Sequence, residues 1–499
     1  MDLELQRVTL EGYRPIYHTA FTQEETLESI VPDALPDVSR IVAAWGRACL
    51  KDSEAGEGML RLTGAAQVTV LYIPEGEELP RSLEVTIPFQ CSRDDPRLRT
   101  GCPVAAEVTL ASADARTLNP RKLLTRCQLS MWASAYEEGA QEIATGAAGE
   151  GLEKRLVPWK FWLIPEVREK TFAFSDVLRP PASKPEIEEL LNARVDLGAV
   201  DAKFIGKKLV LKGDVELTAL YRSGDQLAAA RFELPYSQIV DMGEAPEDAE
   251  PEVFVALKSA DCRLGDGELE VSVEALVRAV LWACQPVTVL EDAYGVGVCV
   301  DVERAPVTLC TLAERTARRE MGRKLCESGV PAKQVLDCAA AVSALLSAPV
   351  EGGMEYTAQV EATVLYLSED DALCASQVTI PVSGRVELPR GAECACRCRT
   401  VGEPTAVPVT GGIEVRCEVE FAFNVVGAEQ VWAVSELREG TAPAGVQRPS
   451  VVIRRIGAGE TLWDVAKACG SAVADIRAAN DLPDQEGAEG LLLLIPAGR

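Results

Sequence analysis

The chain has 499 residues, 47% hydrophobic and 25% charged, with a formal net charge of −27. That length exceeds a single hydrophobic core and implies roughly three or four domains, while the composition excludes wholesale disorder. The acidic balance argues against nonspecific binding to DNA, RNA or an anionic membrane face; it keeps a protein in solution or suits a cationic partner.

The segment Met1 to Leu5 has neither a basic start nor an apolar run, so no secretory signal is expected. No uncharged apolar stretch reaches the ~18 residues of a spanning helix. The nearest, Val335 to Val350, carries Asp337. Sixteen cysteines lie scattered without a CxxC pair, which fits free thiols in a reducing cytosol better than a disulfide framework. A cytoplasmic protein with no direct membrane insertion is expected.

Along the chain one segment recurs. Gln67-Val68-Thr69-Val70-Leu71-Tyr72 returns as Glu216-Leu217-Thr218-Ala219-Leu220-Tyr221 and as Glu361-Ala362-Thr363-Val364-Leu365-Tyr366. Each is followed by a proline step: Ile87-Pro88-Phe89, Leu234-Pro235-Tyr236 and Ile380-Pro381-Val382. Turn signals follow at Asn119-Pro120, Asp266-Gly267 and Gly411-Gly412. Upstream, Leu35-Pro36-Asp37-Val38 pairs with Lys184-Pro185-Glu186-Ile187 and more weakly with Val330-Pro331-Ala332. Such a long period means tandem domains rather than stacked solenoid modules.

Within each copy Val68, Val70 and Tyr72 take one side and Gln67, Thr69 and Leu71 the other, which predicts half-buried antiparallel strands. Ile413 to Val425 is the longest alternation. Helical patterning is confined to connections such as Leu309 to Cys326, where Arg315, Arg318, Arg319, Arg323 and Lys324 form a basic helix face, solvated, or docked on an acidic partner or a neighbouring repeat. The reading is mainly β: three sandwich-like repeat domains over 1–150, 151–296 and 297–439, each with one or two helices. A small, Pro-containing linker over 440–450 would let the last unit, 451–499, move relative to the body.

That last unit reads strand, helix, helix, strand. Val452 to Ile456 form a strand, and Gly459 turns into a helix capped by Thr461 with Asp464 three residues on. Leu462, Val465, Ala466 and Cys469 share a helix face, Val473 and Ile476 belong to a second helix, and Leu491 to Ile495 close the sheet before Pro496.

Catalysis is not expected. His18 is the only histidine, no phosphate-cradling glycine motif stands out, and the carboxylates nominate no pair. Cys394, Cys396 and Cys398 alternate along a strand at intervals of about 6.5 to 7 Å, too far apart to ligate one zinc together without a bend. They read as buried free thiols. No metal and no cofactor is expected.

The pattern Gly459 to Ala466, Asn480-Asp481-Leu482 and Gly490 into Leu493-Leu494-Ile495-Pro496 resembles a LysM module. That resemblance implies a βααβ unit with a groove formed by Gly459, Glu460, Thr461 and Leu462 on one side and Asn480, Asp481, Leu482 and Pro483 on the other. Gly459 and Thr461 also have structural roles in a turn and a cap, and Asn480 could end its helix in the left-handed region. Trp463, one step off the apolar stripe, is either a recognition residue or a cover for a small core. Arg454 stands where such a first strand often carries an aromatic, and Asp484, Glu486 and Glu489 put acid beside the groove, which favours a protein ligand over a glycan.

Repeats joined to one such module resemble the SipL-type spore-coat proteins with SPOCS domains, most specifically through Val31 to Val42, the three Leu-Tyr strands and the C-terminal signature. The resemblance implies an adaptor in the mother cell of an endospore former. Its LysM module would contact the coat morphogenetic ATPase at the forespore surface, and binding of peptidoglycan or cortex glycan is the alternative.

Overall fold

A computed structural model describes residues 3–441, 449–482 and 490–497. The protein is mainly β. Its first eighteen strands fall into three successive groups of six. The first holds β1 (Glu4–Ile30), β2 (Val38–Gly56), β3 (Met59–Pro74), β4 (Arg81–Asp94), β5 (Val104–Asn119) and β6 (Lys122–Ala148). The second holds β7 (Leu152–Leu178), β8 (Glu189–Ile205), β9 (Lys208–Ser223), β10 (Gln226–Asp241), β11 (Glu250–Gly265) and β12 (Glu268–Gly295). The third holds β13 (Val300–Cys326), β14 (Ala332–Val350), β15 (Gly353–Ser368), β16 (Leu373–Glu387), β17 (Glu393–Val409) and β18 (Gly412–Glu439).

Pairing is antiparallel and runs in the same order each time. The second, third and fourth strands of a group form one sheet, while the sixth pairs with both the first and the fifth. The first two groups join edge to edge where Tyr13 pairs with Ile164. A Cβ on Gly12 would lie 2.9 Å from the Ile164 carbonyl oxygen, so that approach needs glycine. The expected turns hold: Asp266 and Gly267, both with positive φ, close β11 onto β12.

Each group's two sheets enclose their own core. Val68, Val70 and Tyr72 enter the first, Leu217, Ala219 and Tyr221 the second, Ala362, Val364 and Tyr366 the third. The long alternation is clean: Ile413, Val415, Cys417, Val419, Phe421, Phe423 and Val425 are all buried.

The half-buried expectation is corrected, because the opposite faces are covered too. Leu71, Leu220 and Leu365, which hold the same place in the recurring motif, meet one another beside Trp45, Leu191 and Leu373. Tyr136 and Trp282 meet Val426, and Ile143, Val289 and Ala433 meet likewise; in each trio the residues stand at the same place along β6, β12 and β18. The three groups therefore converge on a shared column of apolar layers.

Helices were expected in the repeats, and there the sequence reading fails. Leu309 to Cys326 is part of β13, which pairs with β18 along its length. Helix propensity there amounts to tenths of a kcal/mol per residue, and the cross-strand ladder outweighs it. The basic face becomes a set of fixed contacts. Arg319 and Arg323 pair with Glu420 and Glu414, Arg315 with Glu250, while Arg318 and Lys324 donate to the carbonyls of Arg385 and Thr379. Among the described residues the only helices lie in the C-terminal unit.

Candidate functional site

The C-terminal unit comprises β19 (Val451–Arg455), α1 (Leu462–Cys469), α2 (Val473–Ala479) and β20 (Leu492–Pro496), with β19 and β20 antiparallel. Its small core gathers Ile456, Val465, Ala466, Ile476, Leu493 and Ile495, and Tyr294 from the end of β12 joins it.

The groove residues are placed as follows. Gly459 has φ of +75°, and nothing lies within 4 Å of where its Cβ would stand, so its part is the turn. Glu460 pairs with Arg454 at 2.5 Å and accepts from the Gly457 amide at 3.1 Å. Thr461 caps α1: its hydroxyl accepts from the Asp464 amide, and the Asp464 carboxylate accepts from the Thr461 amide. The Thr461 hydrogen bonds hold the Asp464 carboxyl below its ordinary range. Leu462 and Leu482 lean on the unit's core.

Asn480 departs from expectation. It is not left-handed (φ −122°), and the left-handed residue is Asp481 (φ +50°). The Asn480 side chain instead ties α2 to β20. Its amide donates to the Ile476 and Leu494 carbonyls and its oxygen accepts from the Leu494 amide, each at 2.7 Å. The pattern could not foretell this, because Asn suits either duty. Pro483 and the acidic positions 484, 486 and 489 lie outside the described residues.

Trp463 faces the body. Its indole N–H donates to Asp292 at 2.9 Å, and its ring meets Tyr294 edge-on with centroids 4.9 Å apart. Lys467, one turn on, reaches both Asp292 oxygens at 2.7 Å. The Tyr294 hydroxyl donates to the Ser471 carbonyl at 2.9 Å. Asp292 and Tyr294 escaped the sequence reading because they sit 171 and 169 residues from Trp463, where no local pattern operates. The other side of the unit is open. On the outer face of β19 and β20, Val451, Ile453, Leu492 and Leu494 are exposed beside Leu491, with Ile453 at 67% and Leu492 at 65%.

Two of the clefts on the body are lined by charged side chains. One, of about 770 Å³, lies between the second and third groups and includes Lys212, Asp214, Tyr236, Arg319, Arg399 and Glu420. Burial would raise the Glu420 carboxyl, but Arg399 and Arg319 bind it and hold it below its usual range. The other, about 920 Å³, opens where the β3–β4, β9–β10 and β15–β16 turns meet, with Glu78, Asp225 and Asp370 around Leu336 and Leu367. His18 lies in β1 opposite Ser134, its imidazole pulled below the ordinary range by burial. Cys394, Cys396 and Cys398 are free and pack at the third core, Cys396 buried as expected and the other two only half-buried. Among the described residues no group of His, Cys, Asp and Glu could hold a metal ion, and no helix is long and apolar enough to cross a membrane.

A family model described as SipL, SPOCS domain matches residues 186–264, the stretch from just before β8 through β11. No curated protein and no solved structure matches it.

Proposed function

We propose that the chain is a non-enzymatic adaptor in endospore coat assembly, with three SPOCS-like repeat domains over 1–150, 151–296 and 297–439 as its body and a LysM-like unit over 451–499 docking a protein partner. The family match over 186–264 supports the sporulation setting. The body's interlocked cores suit a block that holds things in place.

The observation that carries protein docking is the apolar outer face of β19 and β20. Five large apolar side chains stand exposed on a unit of about fifty residues, and a contiguous patch of that kind marks an interaction surface. Sugar recognition would instead draw on polar groups at the groove, where Glu460 and Asn480 are already engaged. By the SipL-type resemblance the partner is the coat morphogenetic ATPase, met on the mother-cell side of the forespore surface.

The test is binding of the purified ATPase to the full chain, to a chain ending at residue 450, and to Ile453→Asp with Leu492→Asp. Binding lost in both variants is the expected result. Undiminished binding without residues 451–499 defeats the docking role. Sedimentation of the full chain with purified peptidoglycan, dependent on residues 451–499, would favour the glycan reading instead.

A further inference from the structure

The last strand of each six-strand group carries a β-bulge at the same place, leaving Thr145, Glu291 and Ser435 unpaired in β6, β12 and β18. A bulge re-aims the residues that follow it. In the first group these include Gly146 and Ala148, which offer no side chain that could grip. In the third they include Glu436 and Arg438, which bond to each other at 2.6 Å. Only the second group presents a carboxylate and an aromatic ring there, Asp292 and Tyr294.

Asp292 is 6% exposed, and its carboxylate accepts from Trp463, from Lys467 and from the Ala293 amide. A buried carboxylate needs such partners, and two of the three are side chains of α1, four residues apart and so on one helix face. The docked unit thus both covers Asp292 and supplies its side-chain partners.

We infer that Asp292 is the latch of a self-masked state: the C-terminal unit sits on the bulge of the second group, and Trp463 becomes available to any ligand only when the unit leaves that seat. The latch stands whatever the unit binds. A ligand that needs Trp463 competes with Asp292 and Tyr294, so its apparent affinity falls by the fraction of chains that are undocked. A ligand that takes only the outer face of β19 and β20 binds the docked form without this handicap.

The test is 19F NMR of the full chain labelled with 5-fluorotryptophan, the Trp463 resonance being assigned by its absence in Trp463→Phe. In the natural chain the Trp463 signal should be protected, with a small solvent isotope shift between H2O and D2O. Asp292→Ala should move it to the position and isotope shift of an exposed indole, leaving the other six tryptophan signals in place. Lys467→Glu serves as a second variant. Lys467 is exposed and outside every core, and a carboxylate brought against Asp292 should open the latch by repulsion even if Asp292→Ala disturbs the body. An exposed Trp463 signal in the natural chain, or an unmoved one in Lys467→Glu, overturns the inference.

Discussion

Arg194 and Asp337, 143 residues apart, form a 2.8 Å ion pair that joins β8 to β14, with both side chains almost wholly buried. Arg194 also reaches Asp196 and Thr218. Removing one partner of a buried pair strands the other's charge in a poor solvent, which costs about 3 kcal/mol or more. Asp337→Ala should therefore lower the denaturant midpoint of the whole body, and Asp337→Asn, which keeps shape and an acceptor, should lower it less. Equal midpoints for natural chain and Asp337→Ala would show the pair to be idle.

The recurring tyrosine and the upstream proline motif, Pro36 in the first group and Pro185 in the second, prove to be partners. The Tyr221 hydroxyl donates to the Pro185 carbonyl at 2.9 Å, and Tyr72 reaches Pro36 at 3.4 Å, both across 36 residues. Tyr366 turns instead to Ser376, as the weaker likeness around Pro331 allows. Tyr221→Phe should cost about 1 kcal/mol, the net worth of one hydrogen bond, and Tyr72→Phe less. Urea unfolding checks both, and a larger loss for Tyr72→Phe contradicts the ranking.

A glycine sits directly opposite an aromatic residue in each small sheet: Gly64 and Phe89, Gly213 and Tyr236, Gly384 and Tyr356. The ring lies over the space where the glycine lacks a side chain, as aromatic rescue of strand glycines requires. A Cβ at Gly64 would collide with the Cys49 carbonyl oxygen and the Phe89 ring. Gly64→Ala is expected to destabilise by roughly 2 kcal/mol through overpacking, despite alanine's better strand entropy. A gain in thermal midpoint would refute that.

Buried thiols give the protein an alkaline limit. Burial pushes Cys338 and Cys398 up to about 12, and Cys91, Cys127 and Cys394 to about 11, from an ordinary 9.0. Below pH 9 these thiols are neutral in both states and stability is intact. Above it the unfolded chain ionises first, so stability falls as pH rises from 9 toward 12. The thermal midpoint should decline across that range, with a shallower slope in Cys338→Ala with Cys398→Ala. At pH 8 iodoacetamide should spare these five cysteines in the native state, because the thiolate is the nucleophile.

Much of the body was legible from residues alone. Period-two alternation named the buried face of β18 residue by residue, and Asp266-Gly267 named the turn between β11 and β12, because both signals are local. The segment from Leu309 to Cys326 misled because its Ala, Arg, Glu and Lys favour a helix, and only the distant partner β18 makes it a strand. Leu71 was given to a half-exposed face for a similar reason: what covers it comes from Leu220 and Leu365. In the C-terminal unit the Thr461 cap was readable, being three residues from its partner. The seat of Trp463 was not, since a bulge in β12 supplies it.

The meeting of Leu71, Leu220 and Leu365 bears on how this protein tolerates being divided. Were the thirds beads on a string, any one might be excised and still fold. Here each removal would bare a leucine-lined flank on both survivors, so the natural cut points in the sequence are poor places to truncate. The three copies are packed into one another, and their modularity is plainer in the sequence than in the folded molecule.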